Sequence, residues 1–222
     1  MSIRGILAVE VVLLWSCFSP LLPLLTAPRR EEGESAVSPV PRLACTMAAA
    51  AAATTAATTV LLTASASKEP ESITGGLARG SAGFLLGTCV IHAVAVVLGA
   101  PLIRQVPETL LFSALVSAMT FLPVSVTSRQ PWKAFVRFLR GSRPAAYEPG
   151  AMVPAVGCAV GAWLGAIPLS LDWERPWQDW PLPMCVGGLL GFSVGALLLS
   201  GIHLAEKVRR KFSAAARSSK RV

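Results

Sequence analysis

Charge is scarce in this sequence. Only 14% of its 222 residues are Asp, Glu, Lys or Arg, against about 25% in a water-soluble domain. Hydrophobic residues make up 53%, and the mean hydropathy is +0.60. This excludes an ordinary soluble globular protein and a disordered one. It points to an all-α polytopic membrane protein without a soluble domain. Histidine is almost missing: His92 and His203 stand in different apolar stretches, with no cluster of Cys or Asp around either. Cys17, Cys45, Cys89, Cys158 and Cys185 contain no C-x-x-C and do not read as a disulfide framework. A zinc site needs four grouped ligands, so no metal is expected, and the thiols read as small hydrophobes. The G-x-S-x-G, Walker A and Rossmann fingerprints are all missing. No catalytic residue and no cofactor are therefore expected. Asp172 and Asp179 could in principle hold Mg²⁺, but a divalent-metal phosphotransferase presents more convergent carboxylates.

Long apolar runs are what the sequence has. A membrane helix needs roughly 20 mostly apolar residues, and six stretches qualify: Ile6–Leu25, Leu43–Thr63, Ala82–Ile103, Pro107–Thr127, Gly150–Leu171 and Pro183–Leu204. They hold 128 residues and leave 94 for two tails and five loops, the longest being the 22 residues 128–149. Chains below about 40 residues seldom fold alone, so no tail or loop can form a catalytic domain. The first stretch, with Arg4 before it and Thr26-Ala27 after it, has an alternative reading as a signal peptide. The second, MAAAAAATTAATT, spans by lacking charge rather than by hydrophobicity, and a low-complexity linker is its alternative.

Sidedness accounts for the net charge of +8. With six spans, the two tails and loops 64–81 and 128–149 share one side and carry 15 Lys/Arg, whereas loops 26–42, 104–106 and 172–182 carry 5. The positive-inside rule then places both termini in the cytosol. The basic pI near 9.9 is thus a topology signal, and nucleic acid is not an expected partner.

Five features stand out along the chain. Pro131–Arg140 sets Trp132, Phe135, Val136 and Leu139 on one helical face and Lys133, Arg137 and Arg140 on another, as in a short helix lying among anionic lipid headgroups. The tail from Lys207 to Val222 is basic and Ser/Ala-rich, and is expected to fray. The fifth and sixth spans each hold a tandem G-x-x-x-G: Gly157, Gly161, Gly165 and Gly187, Gly191, Gly195. Three glycines along one face let another backbone approach, either the neighbouring helix or another protein. The third span has a single copy, Gly83 and Gly87. Between the fifth and sixth spans lies Asp172-Trp173-Glu174-Arg175-Pro176-Trp177-Gln178-Asp179-Trp180-Pro181-Leu182, with three of the six tryptophans in 11 residues. Tryptophan favours the headgroup level and the two prolines stiffen the segment. Such a loop is shaped either to close over its own helix ends or to meet a partner. Glu108, one residue after Pro107, sits at a helix start, where the dipole favours a carboxylate.

The run Gly161-Ala162-Trp163-Leu164-Gly165-Ala166-Ile167-Pro168-Leu169-Ser170-Leu171, continuing into DWERPWQDWP, resembles the PIG-F family of phosphatidylinositol-glycan biosynthesis. Gly99-Ala100-Pro101-Leu102-Ile103, followed by Glu108-Thr109 and Leu111-Phe112, is similar to a second stretch of that family. The resemblance covers roughly residues 82–205, with Ser170 where the family has a proline and no match over 1–75. It implies a divergent N-terminal part with two candidate spans (1–81), a PIG-F-like core with four (82–205) and a basic cytosolic tail (206–222). It further implies an endoplasmic reticulum membrane protein of GPI-anchor assembly that is not itself an enzyme. Such a protein binds and stabilises the large ethanolamine phosphate transferases, PIG-O-like for the third mannose and PIG-G-like for the second. The loop 172–182 would then be lumenal. The residues alone also leave open an enzyme or a lipid-handling protein that presents substrate, either carried by Asp172, Glu174 and Asp179, and a small transporter or scramblase. The expected partner-binding residues are the six glycines of the tandem motifs together with Asp172, Trp173, Glu174, Arg175, Pro176, Trp177 and Trp180, and membrane lipid is the other expected partner.

Overall fold

The computed structural model describes residues 73–101, 103, 105–127, 130, 132–133, 136–137, 140, 149–171 and 176–219. Within them are four long helices: α1 (Ile73–Val97), α2 (Val106–Thr127), α3 (Pro149–Leu164) and α4 (Leu182–Ser219). Two single 3₁₀ turns, Ile167–Ser170 and Pro176–Gln178, lie between α3 and α4. Four segments are long and apolar enough to cross a membrane: Ala78–Val97, Val106–Val126, Met152–Ser170 and Leu182–Arg210. The expected spans Ile6–Leu25 and Leu43–Thr63, with the signal-peptide and linker alternatives, lie outside the described residues. In the segment 131–140, Trp132, Lys133, Val136 and Arg137 are helical, and the Arg140 amide donates to the Val136 carbonyl at 3.1 Å.

Three helices differ from their apolar runs, each for a local reason. The run Ala82–Ile103 forms a helix that begins nine residues earlier, at Ile73, and stops at Val97. It stops because Gly99 adopts φ +107°. Its amide donates to Val96 and that of Ala100 to Ala95, the paired bonds of a Schellman cap, and Pro101 follows. The early start extends a glycine-bearing face whose Gly80 packs on the far end of α2. The run Gly150–Leu171 is α-helical only to Leu164. Pro168 has no amide to continue the ladder and its ring would strike the carbonyl four residues back, so the chain tightens into the turn Ile167–Ser170. The third difference is larger. The tail expected to fray continues α4 as helix to Ser219. Residues 205–219 are mostly Ala, Glu, Lys, Arg and Ser, of which all but Ser are strong helix formers. Glu206 and Arg210 pair across one turn at 3.6 Å.

The helices form two antiparallel hairpins, α1/α2 and α3/α4, joined chiefly by α2 against α3. α2 is the centre: 67% of its span is buried, against 17% for α1. Phe112, Leu115, Val116 and Met119 of α2 meet Cys158 and Ala162 of α3 and Leu182, Cys185 and Leu189 of α4 in the core. Prolines inside α2 (Pro123) and α3 (Pro154) are tolerated as in other membrane helices, where neighbouring groups satisfy the freed carbonyls.

Candidate functional site

The six tandem glycines are turned towards each other. A Cβ placed on Gly161 would press on the Gly187 carbonyl and stand 2.9 Å from Gly191 Cα. On Gly191 it would press on the Gly157 carbonyl and again meet Gly161 Cα at 2.9 Å. The ends of the seam are closed by Gly165 against the backbone of Pro183 and Met184, and by Gly195 against Val153 and Pro154. Backbone therefore touches backbone for the length of both motifs. Of the two readings of this spacing, the neighbouring helix is the one observed within the chain.

Close approach of two helix axes leaves a trough on the side away from α2. Here the glycines floor an apolar groove of about 740 Å³, walled by Val156, Val160 and Leu164 of α3 and Val186, Leu190 and Val194 of α4. Val160 and Val194 are half exposed along it. Trp177 and Pro168 stand at one end, at the level of the loop.

The loop closes over its own helix ends. The Trp180 indole N–H donates to Thr109 Oγ1 at 3.1 Å, and its ring tilts against Phe112 with centroids 5.7 Å apart. Gln178 Nε2 donates to the carbonyls of Pro168 and Leu171, both at 2.7 Å, holding the turn after α3. The Trp180–Pro181 peptide is cis, and Pro181 and Leu182 are fully buried. Pro176 opens the second 3₁₀ turn. Trp177 packs on the core and also borders the groove. Asp172, Trp173, Glu174 and Arg175 lie outside the described residues. The structure thus brings together the glycines, Trp177 and Trp180: both rings pack on the core, Trp180 bonded to Thr109 and Trp177 bordering the groove.

A row of small hydroxyl residues on α2 went unread in the sequence. Thr109, Ser113, Ser117, Thr120 and Ser125 are all buried. Ser113 and Thr120 donate to the carbonyls four residues back at 2.6 and 2.7 Å, and Ser117 donates across the hairpin to the Phe84 carbonyl at 2.8 Å. The signal was present as a four-residue spacing at 109, 113 and 117, resumed eight residues on at 125, the hydroxyl counterpart of the glycine motif. The chemistry-bearing side chains are otherwise dispersed: Glu108 lies in the first turn of α2, and Cys158 and Cys185 are buried in the core. Among the described residues no three of His, Cys, Asp and Glu converge.

Comparison with known proteins follows the same segment. The model of the GPI biosynthesis protein family Pig-F matches residues 34–200. It reaches well before residue 82, where the sequence resemblance was expected to begin. The "GPI ethanolamine phosphate transferase, stabilizing subunit" of Mus musculus is 37% identical over 116 residues, 52% of this chain and 53% of that protein. Its Homo sapiens counterpart has the same identity and coverage. "Glycosylphosphatidylinositol anchor biosynthesis protein 11" of Pyricularia oryzae is 36% identical over 115 residues, 50% of this chain and 41% of that one. The chain spans about half the length of the curated relatives it matches. No solved structure matches.

Proposed function

This chain belongs to the Pig-F family of GPI biosynthesis proteins, and from that membership we propose that it is a non-catalytic membrane subunit that binds and stabilises a GPI ethanolamine phosphate transferase. The relatives whose names state that role support it. So does the open groove over the glycine seam, which is the observation that carries the mechanism. Apolar contact drives no association between helices inside lipid, and close packing has to do so. A groove with a backbone floor and Val/Leu walls offers that packing to a helix of the transferase. The glycines at 157, 161, 165, 187, 191 and 195 act by holding α3 and α4 close enough to make the groove. Trp177, with Asp172, Trp173, Glu174, Arg175 and Pro176 beside it, would meet the partner at the membrane surface, while Trp180 anchors the loop. We assign the transferase to the PIG-O-like and PIG-G-like class acting on the third and second mannoses. We place the chain in the endoplasmic reticulum with its termini cytosolic and loop 172–182 lumenal.

The test is affinity purification from membranes in mild detergent, with identification of the large co-purifying subunit. Val194→Trp fills the groove without entering the glycine seam, and is expected to lower recovery of the transferase at least fivefold while the chain itself stays folded. Undiminished recovery removes the groove as the contact. Replacing Trp177 by Ala is expected to lower the steady-state level of the transferase. The groove also suits an acyl chain, which favours a lipid-handling role as the second reading. Phosphoethanolamine transfer by the purified chain without a partner would make the chain an enzyme and overturn the first reading.

A further inference from the structure

α4 is too long for its membrane. Its 38 residues extend about 57 Å at 1.5 Å per residue, whereas about 20 residues cross the hydrocarbon. The part that emerges is not uniformly polar. Leu204, Val208 and Phe212 follow at four-residue intervals and are all exposed, Phe212 at 72%. At 100° per residue, Leu204, Ala205, Val208, Phe212, Ala215 and Ala216 fill one arc of roughly 120°. Arg209 falls at one edge of that arc and position 211, a lysine, at the other, while Glu206, Arg210 and Arg217 share the opposite side. Residues 205–222 contain seven Lys/Arg and a single acid.

We propose that residues 203–219 form a lipid-binding arm that lies on an anionic membrane surface. Its Leu204–Val208–Phe212 face enters the boundary between headgroups and acyl chains, and Arg209 and Arg210 meet lipid phosphates. Three observations carry this. The charge is complementary to an anionic membrane surface, which a helix meets as it leaves the bilayer. Long cationic side chains at the edge of an apolar arc can reach headgroups while the arc stays buried. The helix also has a place to bend. Ser200-Gly201 lies about 20 residues into α4, within the apolar segment Leu182–Arg210 and near the length that crosses the hydrocarbon; Ser/Gly pairs are a recognised cause of kinks, and no atom stands within 4 Å of a Cβ at Gly201. The inference depends on neither the transferase assignment nor the compartment this end of α4 faces.

The test is amide hydrogen exchange of the full chain in lipid nanodiscs, made of phosphatidylcholine alone or with about 30 mole per cent phosphatidylserine. Residues 203–219 are expected to exchange about tenfold more slowly in the anionic discs. That difference should vanish near 1 M salt, where the Debye length is about 3 Å, and in the double variant Arg209→Glu, Arg210→Glu. Unchanged exchange of α1–α3 in the same samples shows that the variant has kept its fold. Equal exchange in the two lipids overturns the proposal. So does protection that ignores lipid charge and needs an added protein partner, which would assign the face to an acidic helix instead.

Discussion

The two hairpins use the same residue for different contacts. In α1/α2, glycines 80, 83 and 87 receive side chains: Val126, Ser125 and the pair Ser117 and Phe121. In α3/α4, the six tandem glycines receive backbone. A side chain can rotate or be exchanged for a smaller one, but a carbonyl in a helix ladder cannot move without the helix. The G-x-x-x-G interval, Gly83/Gly87 in one hairpin and the tandem motifs in the other, therefore encodes a forgiving interface in the first and an unforgiving one in the second. At the unforgiving seam an apolar groove lies over the glycines on the outer side.

The widest gap between the hairpins should appear with Gly161→Leu. It is expected to separate α3 from α4, abolish folding in detergent and remove the transferase from the co-purified material, as size-exclusion profiles and pull-down would show. A folded, associating variant would refute backbone contact at the seam. Gly191→Ala is milder, and overpacking of this kind costs about 1–3 kcal/mol, measurable by reversible unfolding in detergent. The added methyl meets the Gly157 carbonyl, so no side-chain replacement in α3 should restore stability. Gly83→Ala is the sharper counterpart. It should cost about 1 kcal/mol, and Ser125→Gly in the same chain should recover part of that loss, because the obstruction is the Ser125 side chain. Failure of that rescue would make the two hairpins alike. Trp180→Phe keeps the ring against Phe112 but loses the bond to Thr109, a loss of about 1 kcal/mol, seen as a small drop in thermal midpoint. At the lower end, Gly76→Ala has nothing within 4 Å and should stabilise α1 by about 0.5–1 kcal/mol through helix propensity.

Much of the architecture was legible in sequence because bilayer thickness imposes a length on any spanning helix. All four apolar runs from residue 82 onward recur as helices. Their ends did not follow apolarity, because a helix end is set by local backbone chemistry. Gly99 and Pro168 stop helices inside apolar text, and the Ala- and Glu-bearing tail carries one on through charged text. Within the candidate site, the glycine interval and the aromatic loop were both found by inspection. The division of labour between Trp177 and Trp180 was not, since three tryptophans in one short loop look alike until one of them finds Thr109. The α2 hydroxyls were passed over because isolated Ser and Thr carry little weight unless their four-residue spacing is noticed.

The sequence by itself determined that the chain is a bundle of membrane helices, that two of them carry faces bare of side chains, and that its family is Pig-F. Each of these follows from composition, from spacing or from a specific run of residues. Tertiary structure decided what the bare faces touch. A glycine face permits close approach without naming its partner, and only the antiparallel pairing of α3 with α4, backed by α2, turns one side of the seam inward and leaves the other open.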